Sequence, residues 1–323
     1  RAAREALPRP GGGRMSGPPH ARIGLLVNPT SRRGLAERDG IHAARCLRAL
    51  GFDVVDLTAG SAEEAARMSS AAVASERLDA LFAVGGDGTV GIAVDALADS
   101  KIPLGILAVG TGNDAARHFG LPRRDVDAAL ALALDALESK RTFAADVLEV
   151  ASKAGSRRVM SVVSAGLDAD VNRRTNSFSS PRGGARYARG IVSAVANFAP
   201  YGFRLEIDGR ACSAPATLVS VANTRFFGTG LPIAPSATVT DGLADVVFAA
   251  GLSRLQIIDL LPRLALGRHP NHPLVHFVRA RRVRIAGEPC AGARPPDPMA
   301  DGDRLGTLPI DVTCLPGAVE VLI

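Results

Sequence analysis

Leu81-Phe82-Ala83-Val84-Gly85-Gly86-Asp87-Gly88-Thr89-Val90 decides how the rest of the chain reads. An apolar run ends in glycines that bracket a single acid, and a helix-forming stretch, Gly91 to Leu97, follows. The pattern predicts a buried parallel strand, a tight turn, and a helix whose N-terminus faces whatever the turn holds. Glycines there allow φ > 0 and let backbone N–H groups approach a ligand with no Cβ in the way. Unpaired N–H groups and the positive helix end together suit a phosphate. Asp87 would repel an anion, so its expected work is to orient a hydroxyl or a Mg²⁺-bound water. Taken alone, a glycine-rich turn without function explains the stretch equally well.

A second stretch changes that balance. Leu104 to Val109 is another short apolar run, and it ends in Gly110-Thr111-Gly112-Asn113-Asp114. Neighbouring strands of a parallel sheet would then finish in two glycine-rich loops on the same sheet edge, where open α/β folds bind ligands. Neither loop is a Walker A sequence or a G-x-G-x-x-G fingerprint. The expectation is a phosphate-binding site of another kind.

The chain has 323 residues, enough for two domains that each bury a core. With 47% apolar and 22% charged residues it is composed like an ordinary soluble globular protein. Its net charge of +6 is unevenly spread. Val171 to Leu205 and Leu260 to Gly287 contain no acid but many arginines, among them Arg173, Arg186, Arg189, Arg263, Arg268 and Arg279. Such stretches suit nucleotide phosphates or anionic lipid headgroups, or simply a solvated basic surface. Cys46, Cys212, Cys290 and Cys314 are widely spaced and form no C-x-x-C pair, which argues against a zinc site or a disulfide framework and fits a reducing compartment. No stretch approaches the ~18–20 apolar residues of a membrane span.

In order along the chain, residues 1–20 are rich in Pro, Gly and Arg and read as disordered, with Met15 a candidate start and no apolar core of a signal peptide. Ile23 to Val27 is the first strand, closed by Asn28-Pro29-Thr30-Ser31. A helix from Leu35 to Leu50, a strand from Asp53 to Leu57 ending in Thr58, and a helix opened by the capping box Ser61-Ala62-Glu63-Glu64 follow. Asp125 should cap a helix to about Leu137. This alternation predicts a doubly wound parallel sheet over 21–143. Beyond it, over 144–323, short strand-like runs (Val147–Val150, Arg158–Ser164, Phe203–Ile207, Thr217–Val221, Ala244–Phe248, Val283–Ile285) predict an antiparallel β-sandwich. Helices interrupt it around Ala185–Phe198 and Leu255–Leu266, and the last residues are free to return to the first domain.

The two glycine loops together resemble the diacylglycerol kinase catalytic domain, which bacterial lipid kinases share with sphingosine and ceramide kinases. The first loop alone is less specific, because NAD kinases and phosphofructokinases carry close relatives of it. Ala165-Gly166-Leu167-Asp168-Ala169, Asn223 with Phe227-Gly228-Thr229-Gly230, Ile233-Ala234-Pro235, Asp241-Gly242-Leu243 and Ala300-Asp301-Gly302-Asp303 follow in family order. The resemblance thus runs from Ile23 to Ile323 and favours a lipid kinase over an NAD kinase.

The resemblance implies an α/β domain like that of NAD and diacylglycerol kinases, followed by a β-sandwich that receives the lipid. It implies ATP and Mg²⁺ as cofactors, with the nucleotide at Asn28, Thr58, Gly85, Gly86, Asp87, Gly88, Thr89, Gly110, Thr111 and Asn113. Thr111 could equally cap a helix starting at Asn113. Asp303 would take the proton of the lipid hydroxyl, in a place where the family normally has Glu, and Asp87 would stand at the reacting phosphate. Asp241 with the carbonyls of Thr238 and Leu243 would hold a structural Mg²⁺, although a plain turn reads the same. One departure stands out: Ile92 occupies a position where the family usually has Glu. The expected function is phosphorylation of a diacylglycerol-like lipid. The alternatives are a sphingoid-base or other lipid kinase, and a weakened nucleotide- and lipid-binding regulator. The expected partners are a lipid alcohol and an anionic membrane surface met from the cytoplasm, not nucleic acid, and a homodimer is left open.

Overall fold

The computed structural model describes residues 21–29, 34–75, 77–180, 184–301 and 303–323. The expectations for residues 1–20, Thr30, Ser31 and Gly302 lie outside these. The first half alternates β1 (Arg22–Val27), α1 (Leu35–Ala49), β2 (Asp53–Asp56), α2 (Ala62–Ser75), β3 (Ala80–Gly85), α3 (Asp87–Leu97) and β4 (Leu104–Ala108). A short α4 (Asp114–His118) and α5 (Val126–Glu138) complete it. Strands lie in the order β2-β1-β3-β4, all parallel. Every residue of β3 and β4 is buried, which is why both read as unbroken apolar runs rather than alternating ones.

Helices cover both faces of this sheet. On one side α1 and α5 pack through Ala36, Ala43, Leu47, Leu130 and Leu134. On the other, α2 and α3 pack through Ala65, Ala72, Val90, Val94 and Leu97. The helix starts follow from local chemistry. Asp125 accepts the Ala128 N–H at 3.0 Å to open α5. Ser61 Oγ accepts the Glu64 N–H at 3.2 Å, while the Glu64 carboxylate reaches back to the N–H of Gly60 rather than Ser61.

The second half is antiparallel. It comprises β5 (Thr142–Ser152), β6 (Gly155–Val159), β7 (Val162–Gly166), α6 (Leu167–Ser177), α7 (Gly184–Ala196), β8 (Tyr201–Ile207) and β9 (Arg210–Ala222). Then come β10 (Ala244–Ala250), α8 (Arg254–Ala265), β11 (Val275–Ala280), β12 (Arg282–Gly287), β13 (Met299–Ala300), β14 (Asp303–Arg304) and β15 (Ile310–Leu322). The long β9 organises the layer: its first half pairs with β8, and its second half runs between β7 and β10. β15 welds the halves together. It pairs antiparallel with β12 and β5, then sets Val321 beside Leu104, parallel to β4.

Two elements differ from the sequence expectation. The run Arg158–Ser164 is two strands rather than one, because β6 turns back on β5 while β7 joins β9. Helix α6 was not foreseen: Leu167-Asp168-Ala169-Asp170-Val171-Asn172-Arg173-Arg174 carries too few apolar residues to show a helical period.

Candidate active site

The two glycine loops touch backbone to backbone. A Cβ on Gly110 would lie 2.3 Å from the Gly86 Cα, so only glycine permits this approach. The N–H groups of Val109 and Gly110 both donate to the Gly85 carbonyl at 2.9 Å. Asn113, in the left-handed conformation at φ 57°, braces the second loop by donating Nδ2 to the Gly110 and Ala108 carbonyls at 3.0 and 3.3 Å. The first N–H groups of α4 are taken by Asp87, whose Oδ1 accepts from Asp114 at 2.6 Å and Ala115 at 3.1 Å. Thr111 is instead exposed, with its carbonyl accepting from Arg124 at 3.1 Å. The acid of the first loop therefore caps the helix of the second.

Beside the loops lies a cleft of about 200 Å³, lined by Leu26, Asn28, Ser61, Thr89 and Ile92 among others. The Thr89 hydroxyl is buried there without a hydrogen-bond partner. Such an orphan donor is what a phosphate oxygen would satisfy. Gly85 lies directly under it, since a Cβ there would meet Thr89 Oγ1 at 2.1 Å. Thr58, exposed at the end of β2, has its N–H held by Asp56 at 2.9 Å. Ile92 is partly buried against the core of the α2/α3 side, so an apolar wall stands where the family resemblance led one to expect a carboxylate.

A second cleft, of about 190 Å³, opens between the halves and is lined by Asp87, Asp114, Asp301, Ser161, Asn172 and Phe227 among others. Burial raises the pKa of Asp87, against the pull of its backbone hydrogen bonds. Asp114, whose Oδ2 accepts from the Thr229 N–H at 2.9 Å, is pushed up to about 6 by burial and by Asp87. Asp301 reaches about 7, through burial, Asp87 and Asp303, with Ser161 and Arg157 pulling the other way. Carboxylates crowded and desolvated in this way form a donor set that a hard divalent cation would complete. Asp87, between the two loops, would be one of its ligands.

Asp303 is exposed and paired with Arg157 Nη2 at 3.2 Å. The β13–β14 turn presses both of its acids onto the first turns of α3. A Cβ on Gly91 would come within 3.5 Å of Asp301 Oδ2 and 3.7 Å of Arg157, and one on Gly88 within 3.9 Å of Asp303 Oδ2. Asp168, for which the sequence suggested no role, is buried at the start of α6 and pushed up to about 6 by burial. It also helps raise the hydroxyl of the partly buried Tyr187 to about 12, after burial itself. Burial, aided by Arg225, holds His118 at about 4, and its ring accepts the Arg225 N–H.

The Asp241 loop is arranged differently from a metal site. Asp241 Oδ1 accepts the Leu243 N–H at 3.0 Å, and Oδ2 pairs with Arg279 at 2.6 Å. A guanidinium thus already neutralises the carboxylate expected to bind Mg²⁺ with the Thr238 and Leu243 carbonyls. These residues do not fit a resident cation as they stand. The loop is instead fastened by the buried Asp146, which accepts the N–H groups of Gly242 and Gly317 at 2.7 and 2.8 Å. Nothing in the sequence around Asp146 signalled that role, because its partners lie 96 and 171 residues away.

Residues 22–150 match the family model of the diacylglycerol kinase catalytic domain, and residues 161–323 match that of the YegS C-terminal NAD kinase beta sandwich-like domain. The chain belongs to the diacylglycerol kinase family. A diacylglycerol kinase of Mycobacterium tuberculosis is 36% identical over 303 residues, covering 93% of this chain and 94% of the relative. One from Bacillus subtilis is 25% identical over 273 residues, 82% of this chain and 85% of the relative. In fold, the crystal structure of a diacylglycerol kinase from Bacillus anthracis strain Sterne superposes with a TM-score of 0.69 at 20% identity, covering 94% of this chain and 96% of that one. Membership makes this diacylglycerol kinase relative a lipid kinase.

Proposed function

We propose that the protein transfers the γ-phosphoryl group of ATP to the hydroxyl of a diacylglycerol-like lipid. The observation that carries this reading is the convergence on the start of α3 of two touching glycine loops and the acids Asp87, Asp301 and Asp303. Phosphoryl transfer asks a protein chiefly for positioning and charge neutralisation. Backbone N–H groups of Gly86 to Gly88 and of Thr111 and Gly112 cradle the phosphates, and Thr89 supplies its unpartnered hydroxyl. Asn28 and Ile92 border the nucleotide. Asp87 would hold a Mg²⁺ ion, which would supply charge neutralisation at the phosphates. The lipid hydroxyl proton passes to the Asp301–Asp303 pair: Asp303 occupies the family's base position, and Asp301, at about 7, is matched to accept a proton near neutral pH. Arg157 orients that pair and offers positive charge beside it.

The lipid reaches the cleft from a membrane surface. No helix among the described residues is long and apolar enough to cross a membrane. Leu255, Ile258 and Leu266 on and after α8 are 80%, 58% and 67% exposed, and Val192 on the neighbouring α7 is 69% exposed. Arg254, Arg263 and Arg268 flank them. Exposed large apolar side chains rimmed by arginines suit insertion among anionic headgroups from the cytoplasmic side.

The test is γ-labelled ATP offered with a panel of lipid alcohols, read by thin-layer chromatography. Label in a diacylglycerol product supports the reading, and label only in a sphingoid product would redirect it. Nucleotide binding with no labelled lipid would favour a regulator.

A further inference from the structure

We propose that His42, Cys46 and Asp127 form a binding site for a transition-metal ion of the zinc class. The site bridges α1 and α5 on the face of the parallel sheet opposite α3. His42 and Cys46 are four residues apart on α1, so their side chains share one face. Asp127 stands in the first turn of α5, brought alongside by the packing of both helices on the same core. His42 Nε2 lies 2.5 Å from Asp127 Oδ1 and 3.7 Å from Cys46 Sγ. The three donor atoms all fall within 4.8 Å of one another, and among the described residues no other group of His, Cys, Asp or Glu converges in this way.

The donor chemistry selects the ion. One imidazole nitrogen, one sulfur and one carboxylate oxygen suit a borderline ion such as Zn²⁺, whereas Mg²⁺ and Ca²⁺ take oxygen ligands. Bond lengths of about 2.0–2.3 Å place tetrahedral ligands about 3.3–3.6 Å apart. The sulfur–nitrogen pair is already near that spacing. The His–Asp pair needs to open by less than about 1 Å on this scale, and both side chains are about half exposed and free to do so. Exposure also leaves water for the fourth position. A His–Asp hydrogen bond between helices would explain two of these residues but gives no reason for a thiol at the same point. The ion would act as a staple between α1 and α5, apart from the acid cleft.

The test uses the full chain with the two exposed cysteines, Cys212 and Cys290, replaced by Ser. Titration with Co²⁺ should give one equivalent with a thiolate-to-metal charge-transfer band, displaced by Zn²⁺. Cys46→Ser should remove the band. His42→Gln should weaken Zn²⁺ binding, measured by calorimetry, by more than about a hundredfold, the upper end for loss of an outer-sphere partner. Zn²⁺ should also raise Tm in the parent protein and not in Cys46→Ser. Should a variant fail to fold, Zn²⁺ protection of Cys46 from alkylation in the parent reads the same point. A band that survives Cys46→Ser, Zn²⁺ affinity in both ligand variants equal to the parent's, or alkylation of Cys46 unaffected by Zn²⁺ overturns the proposal.

Discussion

The Asp87 carboxylate leaves the first glycine loop and accepts the backbone N–H of Asp114, 2.6 Å away, at the start of the helix that follows the second. One oxygen thereby locks the two glycine loops together, and Oδ2 stays directed at Gly112, where a Cβ would meet it at 2.6 Å. The same acid serves as helix cap and as candidate cation ligand.

These two roles separate by substitution. Asp87→Asn keeps an acceptor for the Asp114 and Ala115 N–H groups but removes the charge. It should hold Tm nearly constant while turnover falls at least about a hundredfold, as for other lost charged catalytic groups. Asp87→Ala removes the cap as well and should cost about 1–3 kcal/mol, the usual penalty for unpaired buried donors. Chemical denaturation and a kinase assay on both variants check this; equal stability loss in the two would show that the cap depends on charge.

Gly110→Ala tests the contact between the loops. The added Cβ would sit 2.3 Å from Gly86 Cα and 2.8 Å from Asn113 Oδ1, so the loops must part. ATP affinity by calorimetry should fall at least about tenfold, about 1.4 kcal/mol, with a folded circular dichroism spectrum. Unchanged affinity would place the nucleotide elsewhere.

The raised acids give stability a pH dependence of stated sign. Asp301 titrates at about 7 and Asp114 and Asp168 at about 6 in the folded chain, against an ordinary 3.8. Between those values the folded state binds more protons than the unfolded one, so stability falls as pH rises. The contribution is full below about 3.8 and lost as pH passes through 6 to 7. Asp301→Asn, which cannot ionise, should flatten the Tm-against-pH curve over that range. A variant curve parallel to the parent's would mean that Asp301 does not titrate there.

At the Asp241 loop, the Arg279 ion pair predicts that Asp241→Asn lowers Tm by the same amount in Mg²⁺ and in chelator. A larger loss in Mg²⁺ would show that the ion displaces Arg279 and stabilises the native state by linkage.

The sequence was most legible where structure is local. The runs Leu81–Val84 and Leu104–Val109 signal buried strands because both of their faces are covered, and Asp125 caps its helix within three residues. The antiparallel layer was legible as a class, from short apolar runs and turns. What the sequence hid depends on distant partners. Asp146 fastens residues far along the chain, and Arg279 reaches Asp241 from 38 residues away. Asp301 gains its raised pKa from burial and from Asp87, which no pattern around Asp301 reveals. Ile92, unexpected beside the family pattern, makes sense as part of an apolar wall that joins the core to the cleft beside the glycine loops.

In the proposed reaction the phosphoryl group passes directly from ATP to the lipid hydroxyl in the cleft between the halves, and the cleft's own carboxylates take the hydroxyl proton. The most direct measurement is transfer of label from γ-labelled ATP to dispersed diacylglycerol by the parent, Asp301→Asn and Asp303→Asn, with ATP affinity measured in parallel. Labelled lipid is expected from the parent, with a fall of about 10²–10⁴-fold in at least one variant and ATP affinity little changed. Full turnover in both variants, or no labelled lipid from a parent that binds ATP, would contradict it.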